Sequence, residues 1–363
     1  MRVLEKLQRI PKFLFLNAIV LAGYGIFVLY SANYANWYPW ASKQFIIFCF
    51  CLPFSLVIAL INLRTIFNFT SHIYFGSIGL LLCVKILGYS AMGATRWLSI
   101  AGFKLQPTEP AKIGIILMLS KYLHNLSLAE TNSWKHIFII GALILLPCGL
   151  IIIQPDLGSG LLTIICCCMV IVTGGISFKK ILIITTPIIL SFPVIWNLLH
   201  EYQKKRIFIF LNPESDPLGS GYNIIQSKIA IGSGGFWGKG FLKGTQSHLD
   251  FLPEHQTDFI FAFIAEEFGF IGAMIIMSSF ITLLYQIYTI SMNLRSQFCK
   301  FLGTGIAALI FCHLFINVGM VTGILPVVGV PLPFISYGGT MMLSMFSCIG
   351  IVMNLHVNKN IKF

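Results

Sequence analysis

Long apolar runs separated by short polar connections cover almost the whole chain. Each run has about the 20 residues that a helix needs to cross roughly 30 Å of hydrocarbon. The apolar positions are continuous rather than alternating, which predicts helices and not strands. The runs predict about ten transmembrane helices, near residues 13–32, 45–63, 72–90, 108–123, 136–153, 157–174, 178–199, 259–290, 301–325 and 335–356. We therefore expect an all-α polytopic membrane protein, with residues 1–363 forming a single domain.

The basic residues are distributed unevenly around these runs. Lys and Arg outnumber Asp and Glu by 24 to 12, while 57% of the chain is hydrophobic. Most of the basic excess lies in the N-terminal tail, the even-numbered connections and the C-terminal tail. By the positive-inside rule these parts are cytoplasmic. The pattern predicts a multi-pass protein of the cytoplasmic (inner) membrane with both termini inside, and its charge needs no nucleic acid to explain it.

The cysteines do not indicate disulfides or a metal centre. All except Cys299 lie in apolar runs, and Cys299 lies in a predicted cytoplasmic turn. None is on the oxidising face of the membrane. Cys166, Cys167 and Cys168 are consecutive, so they point three ways around a helix and cannot ligate one metal ion.

Polar residues with chemical potential concentrate on the face opposite the cytoplasm. The long segment between the seventh and eighth runs mixes apolar stretches with glycines, which indicates an ordered segment rather than a flexible linker. Three shorter segments lie on the same predicted face. Together these outer segments cover residues 89–107, 154–156, 200–258 and 326–334.

Glycines frame one part of the long segment. Residues 219–232 predict a short amphipathic helix, and residues 232–240 are dense in glycine. A phosphate-binding P-loop is excluded, because Ser233 and Gly240 stand where that motif requires Gly and Ser or Thr. The glycines instead favour a close approach of the backbone to another backbone or to a sugar-phosphate.

Asp258 directly precedes the eighth apolar run and allows two interpretations. It is a good helix N-cap residue. A carboxylate at the mouth of a membrane helix, near apolar rings, also has a raised pKa that suits a general base near neutral pH. Glu266 and Glu267 follow two turns later. Burying one charge at the centre of a membrane helix costs about 2.5 to 3.5 kcal/mol, so at least one of the two must face a partner or a wet cavity.

Further charges occur at the predicted outer ends of other helices. Arg96 stands beside Trp97 and is either an interfacial anchor or a phosphate clamp. Glu109 and Lys112 lie one turn apart on one helix face, which allows an intrahelical pair. Asp156 occupies a helix-capping position. Lys112 and Asp156 are also opposite charges at similar depth, so they are a second candidate pair.

The segment before the last run contains three prolines. Pro326, Pro331 and Pro333 cannot continue a helix, so the backbone here must line protein or water rather than lipid. Ser336 and the glycines after it either approach a substrate or belong to a purely structural kink.

The order of these motifs resembles one known family. The motifs are Gly93-Ala-Thr-Arg-Trp, Gln106-Pro-Thr-Glu, Gln154-Pro-Asp-Leu-Gly, Asn212-Pro-Glu-Ser-Asp-Pro, Gly221-Tyr-Asn, Leu252-Pro-Glu-His-Gln-Thr-Asp-Phe and Gly329-Val-Pro-Leu-Pro-Phe-Ile-Ser-Tyr-Gly-Gly. They resemble the SEDS family over nearly the whole chain. The short tails and the Gly-Val-Pro-Leu-Pro sequence are more similar to its elongation subfamily, RodA, than to its division subfamily, FtsW.

The resemblance implies a peptidoglycan glycosyltransferase. Such an enzyme polymerises lipid II on the outer face of the cytoplasmic membrane during cell elongation and maintenance of rod shape. The resemblance also implies a class B penicillin-binding protein as transpeptidase partner, and further rod-complex proteins, MreC, MreD and RodZ.

Joining two lipid-linked sugars requires a base, cations for the departing diphosphate and an apolar route for the lipid tails. We assign the base to Asp258, acting in an inverting single displacement with undecaprenyl diphosphate as leaving group. Candidates for binding the diphosphate or the sugar are Arg96, Lys112, Arg206, Lys239 and Ser336. A supporting network is predicted from Glu109, Asp156, Glu254 and Glu266. A divalent cation, Mg²⁺ or Mn²⁺, is compatible with diphosphate chemistry, but no cluster of ligands marks a site, so no metal-ligating residue is predicted.

Two other functions are compatible with charges inside a membrane protein. A lipid II flippase would also contain intramembrane charges and broken helices. A scaffold without activity would leave the buried charges unexplained. The position of Asp258 at the outer mouth, rather than at the bilayer midplane, favours the enzyme.

Overall fold

Helices dominate the fold. The computed structural model describes residues 3–91, 94–100, 103–191, 193, 196–197, 201–216, 219–248, 254 and 256–360. We number the helices α1 (Val3–Gln8), α2 (Lys12–Ala32), α3 (Trp40–Leu60), α4 (Leu63–Leu87), α5 (Thr108–His124), α6 (Leu128–Thr131), α7 (Trp134–Ile153), α8 (Leu157–Thr173), α9 (Phe178–Leu190), α10 (Glu201–Leu211), α11 (Ser220–Gly234), α12 (Thr245–His248), α13 (Ile260–Met292), α14 (Gln297–Thr322) and α15 (Gly339–Val357). A 3₁₀ turn covers Pro213–Ser215, and the strands are β1 (Tyr89–Ala91), β2 (Ala94–Ile100) and β3 (Phe103–Leu105).

Every predicted apolar run coincides with a helix. Within the described chain, seven helices are long and apolar enough to cross a membrane: α2, α3, α4, α7, α13, α14 and α15. Helix α8 is apolar but shorter, and residues 192, 194, 195 and 198–200 of the seventh run lie outside the described residues. The prediction of a polytopic helical membrane protein is confirmed. The amphipathic helix predicted at 219–232 is also present, as α11.

A small β-sheet lies among the helices of the described chain. Strands β1, β2 and β3 form an antiparallel sheet in chain order, between α4 and α5. The sequence analysis did not predict these strands. The segment has no alternation of apolar and polar residues long enough to distinguish a strand from a loop. The sheet matters for function because it carries Arg96.

Helices α14 and α15 form the centre of the bundle and are its most buried spans. Helix α15 packs along α3, and α14 packs against α13, α8 and α5. Small residues permit this close packing: a Cβ on Gly350 of α15 would lie 2.8 Å from the carbonyl oxygen of Ser55 in α3. All ten cysteines are free.

Helix α13 is broken one-third of the way along its length. Gly269 has a φ of 63°, which interrupts the helical hydrogen bonds. The exposed backbone groups are paired with residues 235–244, which we call the glycine loop. The pairs are Lys239 N to Glu266 O at 3.0 Å, Gly240 N to Glu267 O at 2.9 Å, Phe270 N to Gly235 O at 2.9 Å and Ile271 N to Phe236 O at 3.3 Å.

Glycines make this backbone-to-backbone contact possible. A Cβ on Gly238, whose φ is 82°, would lie 2.1 Å from the carbonyl oxygen of Glu267. A Cβ on Gly234 would lie 2.0 Å from the carbonyl oxygen of Ala265. Of the two uses predicted for these glycines, the structure therefore displays the approach of one backbone to another.

The predicted break before the last helix is confirmed. Helix α14 ends at Thr322, and Gly323 follows with a left-handed φ of 74°. Residues 323–338, which we call the proline loop, are not helical, and their apolar side chains are largely buried. The side chain of Gln44 donates to Ser336 O at 3.1 Å and accepts from Gly338 N at 3.3 Å. Protein groups thus satisfy this irregular backbone, as a membrane requires.

Candidate active site

Asp258 lies at the entrance to α13 and is partly exposed. The helix begins at Ile260 with Phe259 as its N-cap residue, and no side chain makes a capping hydrogen bond there. The interpretation of Asp258 as a helix cap is therefore wrong. Its carboxylate is not used to cap the helix, which leaves it available for other chemistry.

The environment of Asp258 raises its pKa. Burial is the main cause, and together with the Glu254 carboxylate and Asp156 it raises the pKa from 3.8 to about 7. The positive charges of Arg206 and Arg96 oppose this rise. Burial also raises the pKa of Glu254. The structure thus brings together five of the predicted residues into one cluster of interacting charges, with a carboxyl group that titrates near neutrality.

The proline loop holds Asp258 in place. A Cβ on Gly329 would lie 3.2 Å from Asp258 Oδ2, so the carboxylate packs directly against that glycine. Ser336 Oγ donates to Thr257 O at 2.6 Å and accepts from Leu332 N at 2.8 Å. Ser336 is buried, and its hydroxyl ties the loop to the residue that precedes Asp258.

Arg96 and Asp156 form a second part of the cluster. Arg96 on β2 donates through Nη2 to the carbonyl of Pro155, and its Nη1 lies 3.8 Å from Asp156 Oδ1. Asp156 caps α8 by accepting from Ser159 N at 3.2 Å, as predicted. The carbonyl of Pro155 and the carboxylate of Asp156 together hold the guanidinium of Arg96 at the start of α8.

Lys112 forms one of the two ion pairs predicted for it, the intrahelical pair with Glu109. Its Nζ lies 2.7 Å from Glu109 Oε1 and 2.8 Å from His313 Nε2, and all three side chains are buried. The predicted pair with Asp156 is wrong, because Asp156 pairs with Arg96. The sequence placed Lys112 and Asp156 at a similar depth in the membrane, but it did not show which face of α5 carries Lys112. In the structure Lys112 faces α14, inside the bundle.

Lys239 and Glu266 form another separate cluster. Lys239 Nζ lies 2.7 Å from Glu266 Oε1 and 2.7 Å from Thr245 Oγ1. Glu266 also accepts from Gln246 N at 2.9 Å. The expectation that at least one of the two glutamates faces a partner is confirmed. Lys239 is engaged at the break in α13, deeper than Asp258 along the helix, rather than in the Asp258 cluster.

Among the residues that the structure describes, no three His, Cys, Asp or Glu side chains are grouped as a metal ion would require. These described residues therefore do not form a site for a divalent cation, and the mechanism below uses none.

An apolar cavity of about 310 Å³ lies beside α2 and α3. Aromatic and aliphatic side chains line it, among them Phe27 and Tyr30 of α2 and Phe45 and Phe48 of α3. The same Phe27 stacks on Phe241 of the glycine loop, with ring centroids 5.3 Å apart. The cavity thus adjoins the loop that packs against the broken helix.

Comparison with known proteins decides the family. The FTSW_RODA_SPOVE family model, described as "Cell cycle protein", matches residues 11–361. The chain belongs to the SEDS family. Among its relatives, the "Peptidoglycan glycosyltransferase MrdB" of Escherichia coli (strain K12) is 41% identical over 309 residues, which cover 85% of this chain and 83% of the relative. The "Probable peptidoglycan glycosyltransferase FtsW" of Trichlorobacter lovleyi is 34% identical, over 98% of this chain and 96% of the relative.

Solved structures have the same fold as this SEDS protein. A chain from "Structural coordination of polymerization and crosslinking by a peptidoglycan synthase complex" matches with a TM-score of 0.84 and 27% identity, over 97% of this chain and 98% of that one. The crystal structure of the Thermus thermophilus rod shape determining protein RodA matches with a TM-score of 0.72 and 23% identity, over 96% and 97% of the two chains.

The sequence analysis of this SEDS protein missed Asn317. This residue of α14 is fully buried, and its amide donates to Asp258 O at 2.9 Å and to Val330 O at 2.7 Å. It joins the segment that carries the carboxylate to the proline loop. A lone asparagine inside an apolar run was the available signal, because a membrane-buried amide needs partners.

Proposed function

We propose that this SEDS protein is a peptidoglycan glycosyltransferase that polymerises lipid II into glycan strands, with Asp258 as the general base. The observation that carries the proposal is the position of the Asp258 carboxyl group, which lies at the entrance to α13, packs against Gly329 and interacts with the charges of Arg96 and Arg206. Burial there raises its pKa to about 7, which suits a general base. The names of the relatives at 41% and 34% identity support the same activity.

The reaction is a single displacement. The Asp258 carboxylate removes the proton from the acceptor sugar hydroxyl, and the resulting oxygen attacks the anomeric carbon of the donor. A new glycosidic bond forms as the bond from the anomeric carbon to the diphosphate breaks. The diphosphate leaves still attached to its lipid and keeps the bonding electrons on its phosphate oxygen. Attack from the opposite side converts an α-linked donor into a β-linked product. A diphosphate is a good leaving group, so a second acidic carboxyl, as in glycoside hydrolysis, is unnecessary.

Arg96 and Arg206 are the cations best placed for the diphosphate. Both act electrostatically on Asp258, and guanidinium groups stabilise the charge that develops on a departing phosphate. Lys112 and Lys239 are instead assigned to the interior pairs with Glu109 and Glu266. Ser336 is assigned a positioning role, since both of its hydroxyl hydrogen bonds go to the protein backbone.

The apolar cavity beside α2 and α3 is the proposed site for part of a polyprenyl chain. Its volume of about 310 Å³ accommodates a few isoprene units, and its aromatic and aliphatic lining favours them over a sugar. We place Asp258 outside the cytoplasm, in agreement with the distribution of basic residues. The location in the cytoplasmic membrane belongs to this proposal as well.

A crosslinking partner completes the proposed assembly. The solved chain that matches with a TM-score of 0.84 comes from a complex that couples polymerization to crosslinking. By analogy we propose a class B penicillin-binding protein as partner of this chain. A role in elongation with MreC, MreD and RodZ remains a prediction from the family resemblance.

The decisive experiment compares the purified chain, with its penicillin-binding partner, against Asp258→Asn on fluorescently labelled lipid II. Wild type is expected to form polymer, while Asp258→Asn loses activity by about 10²- to 10⁴-fold. Glu201→Gln is the matched control, because this acid on α10 has a side chain that is 91% exposed. Normal polymer from Asp258→Asn contradicts the assignment of the base.

The same samples distinguish the flippase hypothesis. Reconstituted in liposomes, a flippase moves labelled lipid II between leaflets without joining its sugars. Translocation by wild type together with no polymer under any tested condition would reject the enzyme in favour of the transporter.

A further inference from the structure

A polar pocket of about 490 Å³ lies at the end of the bundle opposite Asp258. It is formed where the segment between α1 and α2 meets the end of α15, and its lining residues are Gln8, Arg9, Ile10, His356, Lys359 and Asn360. The 19 residues of α15 span roughly 28 Å, about the thickness of the hydrocarbon layer. The pocket is therefore a separate site from the Asp258 cluster.

The lining favours an anion. Arg9 and Lys359 bring two positive charges, and Gln8 and Asn360 bring amide donors. Among the described residues that line the pocket, none carries a carboxylate. Among the ion pairs of the described residues, none includes Arg9 or Lys359. The charges are thus not neutralised by the acidic side chains with which the structure forms its other ion pairs. Cations and amide donors of this kind bind phosphate oxygens.

Both walls of the pocket are fixed to the same turn of the chain, between α3 and α4. On one side, Lys6 is buried and its Nζ donates to Leu60 O at 2.7 Å and to Asn62 Oδ1 at 3.0 Å. This holds α1, and with it Gln8 and Arg9, against the turn.

On the other side, Asn354 anchors the end of α15. Its side-chain amide donates to Ile58 O at 2.8 Å, Ala59 O at 3.2 Å and Ile61 O at 2.6 Å. Asn358 in turn donates to Asn354 O at 2.9 Å, one residue before Lys359. The backbone on both sides of the pocket is consequently held in place, which lowers part of the entropic cost of binding a ligand.

Apolar side chains beside the pocket indicate that the anion belongs to a lipid. Leu4 and Leu7 on α1 and Phe13 at the start of α2 are 74%, 39% and 81% exposed. A short helix with exposed leucines and neighbouring cations is suited to the membrane interface. A free phosphate has no group that these side chains would contact, whereas the acyl chains of a phospholipid do.

We propose that this pocket binds the phosphate of an anionic phospholipid headgroup, with Arg9 and Lys359 as its cationic ligands. By the positive-inside rule this end of the bundle faces the cytoplasm, so the lipid comes from the inner leaflet. Basic pockets at the cytoplasmic ends of transmembrane helices are suited to such headgroups. The site does not depend on the reaction proposed above.

The test measures retention of phosphatidylglycerol on the purified full-length protein by native mass spectrometry, with phosphatidylcholine as the neutral competitor. Wild type is expected to retain phosphatidylglycerol selectively. The double variant Arg9→Gln/Lys359→Gln is expected to bind it about 30-fold more weakly, since two interfacial cations are removed. The charge-conserving variant Arg9→Lys/Lys359→Arg is expected to keep most of the binding.

Two controls make the outcome decisive. Lys135→Gln/Lys179→Gln removes the same charge from exposed positions on the same predicted face, outside the pocket. Equal loss in this control would mean diffuse electrostatic attraction and overturn the site. Undiminished binding in Arg9→Gln/Lys359→Gln also overturns it. Displacement of the lipid by submillimolar inorganic phosphate would identify a free-phosphate site and reject the lipid headgroup.

Discussion

The side-chain amide of Asn317 holds the backbone of Asp258, with Nδ2 2.9 Å from the Asp258 carbonyl oxygen. The same nitrogen donates to Val330 O at 2.7 Å. One fully buried group of α14 therefore fixes two segments: the one that carries the proposed base and the proline loop on which its carboxylate rests. Asn317 does not touch the carboxylate, so we regard it as a positioning residue.

Asn317→Leu is expected to lower kcat by about 10- to 100-fold, because Leu keeps the branched shape of the side chain but removes both hydrogen bonds and lets Asp258 shift. KM for lipid II should change much less. The measurement is steady-state polymerisation with purified protein, together with its pH profile. The matched control is Asn354→Leu, which removes three hydrogen bonds to backbone carbonyls at the other end of the bundle. If both variants lose stability and activity in parallel, Asn317 has only a structural function.

The activity should depend on the protonation of Asp258. Its pKa of about 7 means that the ionised, base form predominates only above that pH. We expect kcat/KM to rise tenfold per pH unit below pH about 7 and to level off above it. A profile that is flat from pH 5 to 8 would exclude this carboxyl as the base.

Glu254→Gln should move the acidic limb of that profile to lower pH. The Glu254 carboxylate raises the pKa of Asp258, and removing its charge lowers that pKa. Burial is the larger cause and persists in the variant, so the limb should stay above the ordinary carboxyl value of 3.8. Glu201→Gln, far more exposed, serves as the comparison and should leave the profile unchanged.

Gly329→Ala should impair catalysis more than folding. Its φ of 73° costs about 1 to 2 kcal/mol for a residue with a Cβ, and that Cβ would lie 3.2 Å from Asp258 Oδ2. We expect kcat to fall by about tenfold or more while the protein remains folded. Gly141→Ala is the control, because a Cβ there meets nothing within 4 Å. Wild-type kcat in Gly329→Ala would indicate that the carboxylate does not depend on this contact.

Lys112→Met should act on stability. Removing one partner of a buried ion pair leaves Glu109 without its cation and costs about 3 to 5 kcal/mol, whereas Lys112→Met with Glu109→Met removes both charges and should cost much less. Thermal unfolding in detergent tests this difference. A raised KM for lipid II at unchanged stability would instead restore the sequence-based expectation that Lys112 binds the diphosphate.

The helices were predictable from sequence because the membrane imposes a length and a composition on each of them. The position of Asp258 was predictable for the same reason, as it directly precedes an apolar run. The sequence did not show that Asp258 leaves the helix uncapped, since local dihedral angles decide which residue is the N-cap. The strands that carry Arg96 were also missed.

Charge partners were harder to predict than charges. Sequence position indicated the depth of Lys112 but not the rotation of α5, and so the pair with Asp156 was wrong. The pairing of Lys239 with Glu266 depends on the left-handed backbone at Gly269. A glycine within an apolar run gives little indication of such a conformation. Which residues assemble is thus a property of the tertiary fold.

The hydrogen bonds between the glycine loop and the break at Gly269 have a mechanical consequence. The first turns of α13, from Ile260 to Phe268, are not a rigid continuation of the rest of that helix. Their last carbonyl groups are hydrogen-bonded to the glycine loop. We therefore expect a displacement of that loop to be transmitted through these turns to Asp258, which lies directly before them.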